Sequence, residues 1–246
     1  MDLRDRVVLI TGARRIGATV ASELAKRGAD IALSYNRSKD EAEATAEAVR
    51  AAGRRAVVWQ ADLSVPRDCE ALVAATVADL GRLDVLVSMA SVYRAVPFDQ
   101  LTVDTLQASL DVDLKSAFAC AKAVVPHMRA AGGGRIVNFA DWLVVSQRPR
   151  YKGYLAYYVA KKAVMGLTEA LALELAEDQI LVNAIAPGPI LAPPELADDE
   201  LEAVEKATPL GRWGGGEAIA KAVLALIDND FITGETIRVD GGRHVR

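Results

Sequence analysis

The sequence predicts a single α/β domain with a doubly wound, seven-stranded parallel sheet. Short apolar, β-branched runs alternate along the chain with longer segments of helical periodicity, which is the pattern of parallel strands joined by helices. The short runs lack polar alternation, as expected for strands that are covered on both faces. The chain has 246 residues, of which 52% are hydrophobic, and no linker or repeat divides it, so we expect one sizeable core.

The seven strands are predicted at residues 7–10, 31–33, 56–59, 85–87, 135–139, 181–185 and 236–239. Helices are expected between them, and a clear example covers about residues 38 to 52. Ser38 is its predicted N-cap, Glu41 follows three residues later as a capping-box partner, and Gly53 ends it. The stretch from about 187 to 215 is rich in proline and glycine. We expect it to form an irregular lid over the carboxyl edge of the sheet.

Charge and hydropathy argue against two classes of partner. The chain carries 29 basic and 33 acidic residues, a net charge of -4, with no run of like charge, so neither nucleic acid nor a membrane surface is an expected partner. The N-terminus is charged and leads into only four apolar residues before Thr11, which is too short for a signal peptide or a membrane span. The expected location is the cytoplasm.

Cysteine and histidine usage predicts no metal site. Cys69 and Cys120 lack CxxC spacing and lie in helical patterns, which favours their interpretation as small buried hydrophobic residues. His127 and His244 are far apart in sequence and near no carboxylate cluster.

A glycine-rich turn follows the first predicted strand, with the sequence Thr-Gly-Ala-Arg-Arg-Ile-Gly at residues 11–17. A glycine turn between a strand and a helix lets backbone N–H groups and the helix dipole meet a pyrophosphate. The predicted pyrophosphate contacts are Gly12, Arg14, Arg15, Ile16 and Gly17.

The end of the second strand indicates which dinucleotide binds. An NAD site usually has an acidic residue there for the ribose 2′-hydroxyl, but this chain has Tyr35, Asn36, Arg37 and Ser38. Arg37, with Arg14 or Arg15, is suited to a 2′-phosphate through charge-assisted hydrogen bonds, which predicts NADPH. The alternative is that these arginines are only solvated surface. Asp62 and Leu63, after the third strand, are predicted to meet the adenine.

Tyr157 and Lys161 form a Tyr-x-x-x-Lys pair within a helical pattern. Residues four apart share a helix face, so the lysine ammonium is expected to lower the pKa of Tyr157 and make the phenol a general acid. Tyr158 and Lys162 offer a second register. Tyr157 is preferred because residues 163–168 then fall where the helix usually continues in the family that this pair resembles.

Together with the glycine turn, Asp62, Pro187-Gly188 and the C-terminal Val-Asp-Gly-Gly at 239–242, this pair resembles the short-chain dehydrogenase/reductase family across essentially the whole chain. The resemblance implies a Rossmann fold and hydride transfer from NADPH to a C=O or C=N bond. It implies that Tyr157 gives the proton, that Lys161 holds the nicotinamide ribose, and that Asp141 orients or relays, with a homotetramer formed through helices near 113–130 and 157–176. The catalytic set is completed by Asp113, and the cofactor contacts by Ala90, Ser91, Pro187, Gly188 and Ile190.

Within that family the chain looks most like the pteridine reductases. Three features carry this resemblance: Arg15 replaces a common glycine, residues 35–38 read Tyr-Asn-Arg-Ser, and Asp141 stands where most members have a catalytic serine. Tyr93 falls where pteridine reductases have an aromatic residue that stacks on the pterin. Trp142 is interpreted either as a second wall of the substrate site or as core.

The expected acceptor is therefore a pterin-like heterocycle, with a ketone or 3-oxoacyl thioester as the enzymatic alternative and a low-turnover nucleotide sensor as a third hypothesis. Four features depart from the family pattern. The glycine turn is one residue shorter than usual, and the segment from Asp141 to Tyr157 is about three residues longer than usual. Ser88-Met89 stands in place of two asparagines, and Asp113 stands in place of one asparagine.

Overall fold

The computed structural model describes residues 1–147, 151–194 and 196–245. Its seven strands form one parallel sheet in the order β3-β2-β1-β4-β5-β6-β7. They are β1 (Val7–Thr11), β2 (Asp30–Tyr35), β3 (Ala56–Gln60), β4 (Val85–Ser88), β5 (Gly134–Phe139), β6 (Ile180–Pro187) and β7 (Thr236–Val239). The predicted fold class is confirmed, and every predicted strand is present, with ends that differ by no more than two residues.

Helices cover both faces of this sheet. They are α1 (Ile16–Lys26), α2 (Lys39–Ala51), α3 (Pro66–Leu80), α4 (Val103–Ser109), α5 (Ser116–Ala130), α6 (Trp142–Val145), α7 (Leu155–Leu175), α8 (Asp198–Lys206) and α9 (Gly216–Asp228). A π-helical segment, Leu110–Lys115, joins α4 to α5. Within the described residues, no helix combines the length and the apolar character needed to cross a membrane.

Two buried cores lie on opposite faces of the sheet. One core packs α1, α2 and α9 against the strands through residues such as Val20, Val49 and Val223. The other packs α3, α5 and α7 through residues such as Leu72 and Val124. Cys69 and Cys120 are both free and buried in this second core, as predicted.

Two predictions about local structure are wrong. Ser38 is the residue before α2, but its side chain makes no capping hydrogen bond, so the expected capping box with Glu41 does not form. Gly53 does end the helix, with φ of 79°. The stretch 187–215, predicted to be irregular, contains α8, whose first turn is stabilised by Asp198, Asp199 and Glu200 near the positive end of the helix dipole. Residue 195 of that stretch lies outside the described residues.

The direction in which successive strands are added to the sheet reverses beside β1. The chain runs outward from β1 to β2 and β3, then returns to form β4 on the other side of β1. In such sheets, ligands bind in the crevice at the carboxyl ends of the strands on either side of the reversal.

Candidate active site

One continuous cavity of about 810 Å³ opens along the carboxyl edge of the sheet. It is lined by residues that follow six of the seven strands, and by Arg243 beyond the seventh. The predicted cofactor contacts that line it are Gly12, Arg14, Arg15, Ile16, Tyr35, Asn36, Arg37, Ser38, Asp62, Leu63, Ala90, Ser91, Tyr157, Lys161, Pro187, Gly188 and Ile190. The predicted substrate contacts Tyr93 and Trp142 line it as well.

The glycine turn between β1 and α1 depends on two close approaches. Gly12 has φ of +96°, a conformation that favours glycine, and a Cβ on Gly17 would lie 2.1 Å from the Gly12 carbonyl oxygen. Gly17 packs behind the turn and is not among the residues that line the cavity, and its direct contact with a pyrophosphate stays a prediction. Because no acidic side chain lies in the first turn of α1, the positive end of its dipole is left for an anion.

The three arginines near this turn have different partners. Arg15, with φ of 51°, donates from Nη2 to the carbonyl oxygens of Leu191 and Ala192, at 3.0 and 2.7 Å. Arg14 pairs loosely with Glu41 at 3.5 Å. Arg37 is exposed at the end of β2 and lines the cavity. Arg37 therefore stays the predicted partner of a 2′-phosphate, whereas Arg15 ties the turn to the segment after β6.

Asp62 lines the cavity beyond β3, beside Leu63. Its Oδ1 accepts hydrogen bonds from the backbone N–H and the hydroxyl of Ser64, at 3.0 and 2.7 Å. These two bonds hold the carboxylate in one orientation at the rim.

Tyr157 and Asp141 are brought together at the centre of the cavity. Tyr157 lies in the first turn of α7, and its hydroxyl donates to Asp141 Oδ2 at 2.8 Å. Asp141 is the N-cap of α6, where its Oδ1 accepts from the Leu143 N–H at 2.8 Å. The longer segment between the two residues thus leaves them in contact, and the cap fixes the orientation of the carboxylate.

Lys161 lies one turn further along α7 and is held by two acceptors. Its Nζ is 3.0 Å from Asp113 Oδ1 and donates to the Phe139 carbonyl oxygen at 2.8 Å. The Lys161 and Asp113 side chains are only 3% and 0% exposed. Asp113 also accepts from the Ser91 hydroxyl and does not line the cavity, so it supports Lys161 from behind. An ammonium has three donors, which leaves one for a ligand.

The prediction that Lys161 lowers the pKa of Tyr157 is wrong for this arrangement. Burial, followed by the nearby Asp141 carboxylate and by Asp113, raises the pKa of Tyr157 well above its usual value. The charge of Lys161 is paired with Asp113, and its Nζ lies 5.8 Å from the centre of the Tyr157 ring. Burial also raises the pKa of Asp141, and its hydrogen bonds from Leu143 and Tyr157 offset this effect only in part.

Aromatic side chains pack beside the Tyr157 ring and along the wall of the cavity. Tyr93 stacks on Tyr154 with ring centres 4.6 Å apart, and meets Tyr157 edge-on at 4.9 Å. Trp142 is 5% exposed and lines the cavity, with the Arg243 guanidinium 5.6 Å from its ring centre. Trp142 is thus both buried and part of the wall, which accommodates both sequence interpretations.

Sequence reasoning missed Tyr151, Tyr154 and Arg243. The sequence signal for the two tyrosines was only their clustering with Tyr157, because Tyr151 and Tyr154 precede α7, which begins at Leu155, and helical periodicity does not apply to them. Arg243 gave no such signal, since its place in the cavity depends on the turn after β7.

Tyr158 and Lys162, the second register, face elsewhere. Tyr158 packs against the small core of Ala140, Val144 and Ala186, and Lys162 donates to the Val144 carbonyl oxygen at 3.3 Å. Neither residue lines the 810 Å³ cavity.

His244 has a carboxylate partner in the structure. Its Nδ1 lies 2.7 Å from Asp240 Oδ2, because the turn after β7 folds the chain back on the buried aspartate. His127 lies in α5. In the part of the chain that the structure describes, no group of three or more His, Cys, Asp or Glu side chains is arranged to hold a metal ion.

Comparison with known proteins identifies the family. Residues 11–244 match a family model described as enoyl-(acyl carrier protein) reductase. The chain is 37% identical over 252 residues to the short-chain reductase protein NovJ of Streptomyces niveus, covering 98% of this chain and 94% of that protein. It is 34% identical over 242 residues to the 3-oxoacyl-[acyl-carrier-protein] reductase FabG of Staphylococcus aureus, covering 96% and 97%.

Among solved structures, a short-chain dehydrogenase from Burkholderia cenocepacia in complex with NADP superposes with a TM-score of 0.91 at 31% identity, covering 99% of both chains. The chain therefore belongs to the short-chain dehydrogenase/reductase family and is an oxidoreductase. The family resemblance drawn from the sequence is confirmed.

Proposed function

We propose that this protein reduces a C=O or C=N bond of a small molecule with NADPH, and that Tyr157 and Asp141 deliver the proton. The observation that carries this proposal is the 2.8 Å hydrogen bond between the Tyr157 hydroxyl and the Asp141 carboxylate, inside the cavity at the carboxyl edge of the sheet. A buried acid pair of this kind supports proton transfer near neutral pH.

The residues along the cavity fit an NADP-type dinucleotide. The Gly12 turn and the N-terminus of α1 suit the pyrophosphate, and Arg37 suits a 2′-phosphate where an acidic residue would repel it. The remaining donor of Lys161 is assigned to the nicotinamide ribose. The Burkholderia cenocepacia relative was solved with NADP, which supports this choice. The dinucleotide supplies the hydride.

Protonation of Asp141 makes the pair a proton donor. In the structure, the Tyr157 hydroxyl donates to the Asp141 carboxylate, so its proton points away from a substrate. When Asp141 is protonated, it can donate to the phenol oxygen instead, and the phenol proton is released toward the acceptor. Asp141 then reprotonates Tyr157, which avoids a buried tyrosinate that its raised pKa disfavours.

For the acceptor we favour a planar, pterin-like heterocycle. The aromatic wall at Tyr93 suits an offset-stacked ring, and a protonated Asp141 suits a ring nitrogen as hydrogen-bond acceptor. A 3-oxoacyl thioester is the second candidate, because a relative named as a 3-oxoacyl-[acyl-carrier-protein] reductase is 34% identical. A nucleotide sensor with little turnover is the alternative without catalysis.

We further propose that the protein acts in the cytoplasm as a homotetramer assembled through α5 and α7. Four large apolar side chains on these helices are exposed: Phe118 at 47%, Leu155 at 44%, Val159 at 42% and Leu173 at 82%. A second copy on these faces would cover them.

The test compares two phenol deletions in one helix. Tyr157→Phe should reduce NADPH oxidation, measured with a panel of dihydropterins, 3-oxoacyl thioesters and ketones, by about 100-fold or more, because it removes the proton donor. NADPH affinity should change little. Tyr158→Phe is the matched control and should stay near the parent rate. Loss of turnover in Tyr158→Phe with retention in Tyr157→Phe contradicts the proposal, and tight NADPH binding without turnover on any acceptor favours the sensor.

A further inference from the structure

Arg243 places a positive charge at the substrate end of the catalytic cavity. The residues after β2 and β3 lie toward one edge of the sheet, whereas Asp141, Trp142 and the residues after β6 and β7 lie on the other side of β1. Among the residues that the structure describes, the other arginines lining the cavity are Arg14, Arg15 and Arg37, and they lie on the proposed dinucleotide side. Arg243 is therefore separated from the phosphate-binding region by the sheet order itself.

The backbone that carries Arg243 is fixed by a buried aspartate. Asp240 is 5% exposed, and its carboxylate accepts from the N–H groups of Gly242 and His244, each at 3.0 Å, and contacts the His244 ring. A Cβ on Gly188 would lie 2.5 Å from the Cβ of Asp240, so the turn is also packed tightly against the end of β6. Arg243 thus projects from a rigid support.

The Arg243 guanidinium uses only part of its hydrogen-bonding capacity. Nη1 donates to the Val204 carbonyl oxygen at 2.9 Å and to the Thr208 hydroxyl at 3.3 Å, both at the end of α8. A guanidinium has five N–H donors. Within residues 1–147, 151–194 and 196–245, no carboxylate lies within ion-pair distance of Arg243, and Nε and Nη2 have no hydrogen-bond partner.

The surroundings of the guanidinium favour a planar anion. Its carbon lies 5.6 Å from the centre of the Trp142 ring, so one face of the arginine is occupied by an aromatic surface. Trp142, Val204 and Trp213 provide apolar walls at that end of the cavity. Two parallel N–H groups beside an apolar wall match the geometry of a carboxylate, which arginine binds in a bidentate manner.

We propose that Arg243 and Trp142 form a subsite for an acidic substituent, so that the natural acceptor carries a carboxylate away from its reacting bond. The inference rests on the proposed function, because it assigns this end of the cavity to the acceptor. It narrows the substrate class to carboxylated molecules.

Benzoate and benzamide test the subsite without turnover, since the two probes share a ring and differ in charge. Calorimetric titration of the full chain, with and without NADPH, should show benzoate binding at least about tenfold more tightly, as expected for a hydrogen-bonded charge pair. Arg243→Gln should remove this preference. Arg212→Gln removes the same charge from an exposed residue that does not line the cavity, and should keep it.

Turnover gives a second readout. The KM of a carboxylated acceptor should rise about tenfold or more in Arg243→Gln, while the KM of its methyl ester stays near the parent value. Equal binding of benzoate and benzamide by the parent protein overturns the inference, even if Arg243→Gln does not fold. An equal rise in KM for the carboxylated acceptor and for its methyl ester shows that Arg243 only supports α8, and this result also overturns the inference. A benzoate preference without turnover on any acceptor contradicts the proposed function alone.

Discussion

Asp113 determines how the charge of Lys161 acts within the site. The two side chains form a buried ion pair at 3.0 Å, and the carboxylate stands where the family pattern has an asparagine. A neutral side chain at this position would leave the ammonium free to favour the ionised forms of its neighbours. The aspartate therefore explains why the neighbouring phenol keeps a raised pKa despite the adjacent lysine.

Asp113→Asn should move the pH dependence of turnover. An unpaired Lys161 cation lowers the pKa of both Tyr157 and Asp141, so the pH above which turnover declines should fall by about one unit or more. Stability should also decrease by about 3 to 5 kcal/mol, because a buried charge loses its partner. Measurement of kcat against pH, with chemical denaturation alongside, checks both effects.

Asp111→Asn is the control for this change. Asp111 lies on the same π-helical segment and pairs with Lys115 at 2.8 Å, in a partly exposed position outside the cavity. Removal of the Asp111 carboxylate should leave the dependence of kcat on pH unchanged. A profile that is unchanged in Asp113→Asn would contradict the assigned action of Asp113 on Lys161.

At the scale of the residue, sequence patterns predicted which side chains meet in the cavity better than they predicted how those side chains act. Tyr157 and Lys161 were found because residues four apart share a helix face, and Asp141 was found because it stands where most members of the family have a catalytic serine. The pairing of Lys161 with Asp113 could not be predicted, because it depends on a π-helical turn packed against α7. Neither local propensity nor periodicity reports such a packing contact.

Among the structural elements, we assign the discrimination between NADPH and NADH to the loop from β2 to α2. Arg37 in this loop lines the cavity, and no acidic residue ends β2. Arg37→Ala should narrow the difference in binding free energy between NADPH and NADH by about 1 to 3 kcal/mol, because a charged hydrogen-bonding partner of the 2′-phosphate is lost. Fluorescence titration with the two cofactors gives the difference.

Arg67→Ala, on the exposed side of α3, is the matched loss of charge and should not alter the preference. If the parent protein bound NADPH and NADH equally well, Arg37 would have no role in selection.

The elements also show where sequence patterns stop being informative. Buried strands such as β1 were predicted closely because a continuous apolar run fits a strand that is covered on both faces. Helix α8 was missed because its composition is polar and the flanking residues are rich in proline and glycine, whereas the end of α2 at Gly53 followed directly from glycine chemistry.

At the scale of the molecule, the sheet brings two functional regions to one edge. The turn after β1 and the loop after β2 form the proposed phosphate side, and the residues after β5 and β7 supply the proposed acid pair and Arg243. Arg15 connects the two regions, because it belongs to the first turn and donates to the carbonyl oxygens of Leu191 and Ala192. The cavity is thus a product of the strand order and of one long-range contact.

In the proposed reaction, Asp141 acts in its protonated form beside Tyr157. Burial raises the pKa of Asp141 above its reference of about 3.9, so the protonated form is retained to a higher pH than in a free aspartate. A group that must be protonated loses activity as the pH rises through its pKa.

The direct measurement is kcat against pH for the parent, Asp141→Asn and Asp141→Ser proteins on one acceptor. We expect the parent's turnover to decline as pH rises through that pKa, and Asp141→Asn to lose this decline along with most of its activity. An unchanged profile with near-full activity in Asp141→Asn would show that Asp141 takes no part in proton transfer.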